Sequence, residues 1–236
     1  MVEDFTTYTE ADPNSKLTVA ASRITFTSLT IGTDVDTCVY IPKTLNAFIS
    51  TYTLCITTEP SASGLMIGTC VSADNYGDHA DPTNEIGVYP YYSTSTPTLY
   101  RIGIGGKEGG GGFGATWTSS VFSFGSVYIV KFLKTGAHTE IIVYDINGDV
   151  VDTLVRVFAS DITGTYFMPM QSIGTGTGVT VSGYVENLTV DELNLFDEEL
   201  ALRTLPGGEL ALRTLPNPEV AMRTLPSSEL AVKVRK

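Results

Sequence analysis

From residue 16 to about residue 190 the chain is written in short alternating apolar and polar runs. Each is strand length, is bounded by Gly, Pro, Asn or Asp, and has no helical period beside it. The runs are Leu17–Ala20, Arg23–Thr27, Cys38–Ile41, Phe48–Thr57, Gly64–Cys70, Glu85–Tyr89, Thr98–Ile104, Ser126–Leu133, Thr139–Tyr144, Val150–Val157, Thr165–Ile173 and Val181–Val190. In a strand, successive side chains stand on opposite faces, so each run can bury one side and wet the other. Asn147-Gly148 sits between two such runs and predicts a hairpin with a type I′ turn, which needs positive φ. About a dozen strands without helices leave an antiparallel sandwich or a barrel.

The composition agrees. Charged residues make up 17% and hydrophobic residues 42%, so the chain is poorer in charge than the roughly 25% of an ordinary soluble domain and too apolar for disorder. The net charge is −12, and its distribution is uneven. Residues 196–236 balance Asp197, Glu198, Glu199, Glu209, Glu219 and Glu229 against Arg203, Arg213, Arg223, Lys233, Arg235 and Lys236, leaving the whole −12 on residues 1–195. An acidic body argues against nucleic acid and against an anionic membrane as partners. Met1 to Phe5 does not read as a secretory leader, and no run of about 18 apolar residues predicts a membrane span. Cys38, Cys55 and Cys70 lie in apolar runs without zinc spacing, so they read as buried free thiols.

The tail is different in kind. Glu199-Leu-Ala-Leu-Arg-Thr-Leu-Pro206 recurs at Glu209–Pro216 and, as Glu-Val-Ala-Met-Arg-Thr-Leu-Pro, at Glu219–Pro226; an altered copy runs Glu229–Lys236. Pro206, Pro216 and Pro226 close each copy, and segments this short make marginal helices. The copies therefore read as short strands, with helical turns as the alternative. A ten-residue unit cannot bury its own apolar positions. Leu200, Leu202, Leu205, Leu210, Leu212, Leu215, Val220, Met222, Leu225 and Leu230 are thus the candidate assembly residues, expected to pair antiparallel between chains, so that the partner is a second copy.

Candidate chemistry is sparse. No strand carries a Glu-x-Asp-x-x-Glu pattern, His79 and His138 read as isolated loop residues, and no nucleophile elbow occurs. The expectation is a chain without catalytic residues. Gly105–Gly112 lacks the Gly-Lys-Ser/Thr ending of a phosphate loop and reads as a flexible hairpin tip. Asp74, Asn75, Asp78 and Asp81 form the candidate calcium loop, because clustered oxygens suit that ion; no other cofactor is expected. Tyr89, Tyr91, Tyr92 and Trp117 are the candidates for stacking on sugar rings.

The opening Phe5-Thr-Thr-Tyr-Thr-Glu-Ala-Asp-Pro-Asn14, the runs Arg23-Ile-Thr-Phe26 and Ile86-Gly-Val-Tyr89, and the closing Ser182-Gly-Tyr-Val-Glu-Asn-Leu188 resemble concanavalin A-like (laminin G-like) jelly rolls of environmental and phage-encoded proteins. The resemblance covers residues 3–192 and carries over no ligand motif. It implies a jelly-roll sandwich, here residues 1–195; it does not extend to the repeat tail, residues 196–236. It further implies a structural or attachment protein of a virion or extracellular fibre, or alternatively a soluble lectin-like module, with a cell-surface glycan as ligand.

Overall fold

The alternating runs become strands. A computed structural model describes residues 1–34, 37–73, 84–109, 112–172 and 179–193, together with the backbone of 201–205, 209–213, 219–224 and 230–234. In chain order the body contains β1 (Thr9–Ala11), β2 (Leu17–Ala20), β3 (Arg23–Thr30), β4 (Cys38–Leu45), β5 (Ala47–Ile56), β6 (Gly64–Leu65), β7 (Ile67–Ser72) and β8 (Glu85–Tyr92). It continues with β9 (Leu99–Lys107), β10 (Gly114–Trp117), β11 (Phe122–Ser123), β12 (Val127–Thr135), β13 (His138–Tyr144), β14 (Val150–Val157), β15 (Gly164–Ser172) and β16 (Thr180–Glu192). Of the strands absent from the sequence reading, β1 and β11 have three and two residues, and β10 begins at Gly114, just after the glycine-rich run.

Two antiparallel sheets form the sandwich. One has nine strands in the order β1-β4-β15-β7-β8-β9-β10, with β6 also on β8 and β11 also on β9; the other has seven, in the order β14-β13-β12-β5-β16-β3-β2. The jelly-roll expectation holds at the level of the all-β sandwich. Inward positions supply the core: Ile86, Val88, Ile102, Ile104 and Phe167 from the first sheet, and Phe26, Phe48, Leu54, Val130, Phe132, Ile141, Val143 and Val185 from the second, all essentially inaccessible. Phe48 meets Phe167 across the sandwich edge-to-face at 6.2 Å and Phe132 beside it at 5.3 Å. Truncating one such ring to alanine costs about 3–5 kcal/mol.

Cys38 on β4, Cys55 on β5 and Cys70 on β7 are free and buried. Lys134 on β12 is a buried cation: its ammonium donates to Asn46 O and Asp161 Oδ1, both at 2.7 Å, with no accessible side-chain surface of its own.

The Asn147-Gly148 hairpin joins β13 to β14, but not through the expected type I′ turn. Gly148 sits at φ +90°, whereas Asn147 is not among the positive-φ residues. Asp145 controls the turn instead: its Oδ1 accepts from the N–H of Asn147 (2.9 Å) and of Asp149 (3.0 Å), and its carbonyl accepts from Gly148 N–H (3.1 Å). His138, expected in a loop, opens β13 opposite Val157. The expected glycine-rich tip also shortens, because Gly105, Gly106 and Lys107 continue β9. Gly106 must be glycine there: a Cβ would come within 2.3 Å of Glu85 O and 3.0 Å of Phe158 Cε1.

The chain divides into two units, Met1–Glu192 and Leu193–Lys236. In the second, the repeats are strands, not helical turns: β17 (Ala201–Leu205), β18 (Glu209–Arg213), β19 (Glu219–Thr224) and β20 (Leu230–Val234). They form one antiparallel sheet in sequence order. Each repeat strand pairs antiparallel with the next in the same chain. Register places Leu202, Leu212, Val220 and Val234 in one row and Thr204, Leu210, Met222 and Val232 in another of the same parity. Leu230 shares that face, while Leu205 pairs Glu209 on the opposite parity. Arg213 is the register partner of Glu219. Leu200, Leu215 and Leu225 lie outside the described residues.

Candidate functional site

The outward face of the nine-stranded sheet gathers the body's aromatic and polar groups. Alternation along β8 places Glu85, Gly87, Tyr89 and Tyr91 there, because Ile86 and Val88 face the core. Register then adds their partners on β9: Lys107 opposite Glu85, Gly105 opposite Gly87, Gly103 opposite Tyr89 and Arg101 opposite Tyr91. On β10, Trp117 lies opposite Gly103. The glycines of β9 make room for rings. A Cβ on Gly105 would meet Phe113 Cζ at 2.4 Å, and one on Gly103 would meet Trp117 Cε3 at 2.3 Å.

Trp117 therefore lies over Gly103 and beside Tyr91, with ring centroids 4.9 Å apart and planes tilted by 35°. Both rings are only half-buried. Tyr91 continues into a pocket of about 190 Å³ shared with Ser93, Ser95, Thr96, Tyr100 and Arg101. The pocket lies where the β8–β9 hairpin turns. Arg101 is exposed, and its guanidinium donates to Thr118 O at 3.1 Å. The result is an aromatic surface, hydroxyl groups and a cation within one small concavity.

Deeper on the same face, β8 and β15 bring together Glu85, Tyr89 and Gln171, all buried. The Glu85 carboxylate accepts hydrogen bonds from Tyr89 OH and from Gln171 Nε2, the latter at 3.1 Å. Burial pushes the Glu85 carboxyl up; the bonds from Tyr89 and Gln171 and the charge of Lys107 oppose it. Burial, and then the Glu85 charge, push the Tyr89 phenol and the Cys70 thiol up as well. Gln171 Oε1 is buried with no hydrogen-bond partner. A carboxyl raised in this way can hold a proton where an exposed one cannot. At 4% exposure, Glu85 is closed to a substrate in this conformation and serves to support the Tyr89 ring beneath the surface pair.

Of the aromatic residues expected to stack on sugars, the structure brings Tyr91 and Trp117 together at the surface. Tyr89 is fully buried, edge-to-face with Phe113 at 5.1 Å. Tyr92 points inward, donates to Glu59 Oε1 at 2.7 Å and packs on Phe124. Alternation accounts for Tyr92, which faces opposite to Tyr91, whereas Tyr89 shares the face of Tyr91 and is buried there by its neighbours, Phe113 among them. Arg101 was missed. Its signal was available, since it lies one strand across from Tyr91, but that proximity needs the β8–β9 register. Asp74, Asn75, Asp78 and Asp81 lie outside the described residues, as does His79. Among the described residues no group of three or more His, Cys, Asp or Glu side chains could hold a metal ion.

No protein-family profile matches the sequence, and no curated protein does. Solved structures do share the fold. A legume lectin-like domain from Entamoeba histolytica aligns at TM-score 0.53 and 14% identity, over 79% of this chain and 90% of that one. An alginate lyase from Pseudomonas aeruginosa aligns at 0.50 and 12%, over 80% and 100%. A GH43 protein from Bacillus licheniformis aligns at 0.52 and 10%, over 81% of this chain but 39% of that one. At such identities the likeness concerns the fold alone. It corrects the expectation of a chain without catalysis: the same sandwich carries enzymes, so a missing carboxylate pattern along one strand does not exclude one. That search looked within single strands, whereas this face assembles its groups from several. The body is an antiparallel β-sandwich, the fold that these solved structures share.

Proposed function

We propose that the sandwich recognises carbohydrate through the outward face of its nine-stranded sheet, with Tyr91 and Trp117 as the ring-stacking pair. The observation that carries this reading is the half-buried pair, 4.9 Å between centroids, of which Tyr91 also lines a pocket with hydroxyl groups. Aromatic rings offer apolar area at low entropic cost, and a few placed polar groups set orientation. The lectin-like fold supports the reading. A displayed head on a virion or extracellular fibre is its finer form, and that rests on the repeat tail alone.

Screening the full chain against a panel of immobilised glycans tests the proposal, because Trp117 is the only tryptophan and its fluorescence reports on the site directly. A bound glycan should shift that fluorescence, and Trp117→Ala should weaken binding about tenfold or more, in line with the loss of a central aromatic anchor. Equal binding by Trp117→Ala, or no binder on the panel, rejects it.

The tail supports a second reading, self-association. Its described sheet ends in β17 on one side and β20 on the other, and a sheet's outer strands present N–H and C=O groups that template further strands. Its rows of Leu, Val and Met share one parity. Its charges balance, so like chains can approach through it without net repulsion.

A further inference from the structure

We infer that the pocket beside Tyr91 selects an anionic sugar, a pyranose bearing a carboxylate or a sulfate. This deepens the carbohydrate reading and rests on it. The body carries the entire −12 of the chain, yet none of the pocket's lining residues is acidic: Tyr91, Ser93, Ser95, Thr96, Tyr100 and Arg101. The one charge in the lining is positive. An acidic protein that leaves a guanidinium at the mouth of its aromatic pocket has set that spot against its own background.

Three other cations of the body are matched with carboxylates, while Arg156 donates to the carbonyls of Ile104 and Gly114 and lies over the Phe158 ring. Arg23 pairs with Glu186, Lys43 with Glu192 at 3.4 Å and Lys134 with Asp161 at 2.7 Å. Arg101 has no carboxylate partner among the described residues; its hydrogen bond goes to the Thr118 carbonyl at 3.1 Å through Nη1. A guanidinium has five N–H donors in a planar fork, and that fork matches a carboxylate or a sulfate two bonds at a time. The bond to Thr118 O fixes one arm and leaves the rest of the fork open.

Position makes the cation selective rather than merely attractive. Arg101 stands directly across from Tyr91 in the β8–β9 register. A ring seated against Tyr91 therefore carries its substituents toward the guanidinium. Ser93 and Ser95 hydroxyls, 2.7 Å apart, can exchange their mutual bond for bonds to ring hydroxyls. A neutral sugar gains the stacking and the hydroxyl contacts, and leaves the guanidinium to water. An anionic sugar adds a charge-assisted pair.

The test uses the full chain and three oligosaccharides of one length: neutral, uronate-containing and sulfated. Tryptophan fluorescence and calorimetry read the binding. At least one anionic ligand should bind about tenfold tighter than the neutral one at low salt, and the margin should shrink as ionic strength rises toward about 1 M. Which anion prevails distinguishes the carboxylate from the sulfate. Arg101→Gln should abolish the margin and spare neutral binding, while Arg101→Lys, which keeps the charge without the fork, should keep part of it. Neutral binding as tight as anionic binding in the wild type overturns this inference and leaves carbohydrate recognition standing. A margin that survives Arg101→Gln also overturns it. Binding of none of the three overturns both.

Discussion

The indole of Trp117 occupies the space a side chain at residue 103 would need. A Cβ built on Gly103 comes within 2.3 Å of Trp117 Cε3 and 2.6 Å of Thr116 O. Since Gly103 and Trp117 are register partners on β9 and β10, the missing side chain is what lets the ring lie across the sheet toward Tyr91. Gly103→Ala should therefore displace the ring or spread the two strands, an overpacking cost of about 1–3 kcal/mol. A fall in Tm together with a red-shifted tryptophan emission is expected. An unchanged emission spectrum would show that the ring does not depend on this glycine.

Glu85 should make stability depend on pH in the less common direction for a carboxylate. Burial raises its folded-state pKa. Its contribution is then complete below the unfolded glutamate value of about 4.3 and is lost as pH rises through the folded value. Glu85→Gln keeps an acceptor for Tyr89, offers a donor to the orphaned Gln171 Oε1, and cannot ionise. The wild type should be more stable relative to this variant at about pH 5 than at about pH 8. The same difference at both, measured by thermal melts, would remove the buried ionisation from the account.

The pair of Lys134 and Asp161 is asymmetric: the lysine is inaccessible, and the aspartate side chain is 47% exposed. Removing the aspartate strands an ammonium in the interior with only the Asn46 carbonyl. Removing the lysine returns a carboxylate to water. Asp161→Ala should therefore cost about 3 kcal/mol, as breaking a buried pair from one side does. Lys134→Met, which fills the same space, should cost no more than about 1 kcal/mol. Chemical denaturation of both variants checks the order, and the reverse order would refute the asymmetry.

If the tail drives self-association, truncation after Phe196 should leave a folded, monomeric sandwich, and the full chain should sediment as an oligomer at micromolar concentration, its size set by mass action. Sedimentation of both proteins decides it: a monomeric full chain, or a truncated one that still assembles, ends this reading.

The sandwich was legible because alternation is a local signal. The long strands β5, β8, β12 and β16 each carry enough residues to show it. β11 does not, since two residues cannot establish a period, and β10, Gly-Ala-Thr-Trp, has no apolar–polar alternation to show. The turn at Gly148 was visible as a turn but not as a type, because Asp145 decides the geometry from outside the Asn-Gly pair. Half of the site was legible in the same sense. Tyr91 and Trp117 announce themselves as residue types, but sequence alone cannot say that Tyr89, on the same face as Tyr91, is buried there against Phe113. Arg101 and Gln171 enter only once register sets β9 and β15 beside the strands they serve. The tail repeats were legible as short strands. Whether a repeat folds back on its own chain depends on loop closure, which the repeat sequence does not encode.

The burial of Cys38, Cys55 and Cys70 gives this domain a built-in clock. A buried thiol reacts with an alkylating reagent only during the moments when its surroundings open. Cys55 belongs to the seven-stranded layer, and Cys38 and Cys70 belong to the nine-stranded one. Modification rates at the three positions would thus record whether the layers come apart together or in sequence. Comparing those rates with and without sugar would reveal whether a ligand on the outer face slows the opening of the strands beneath it.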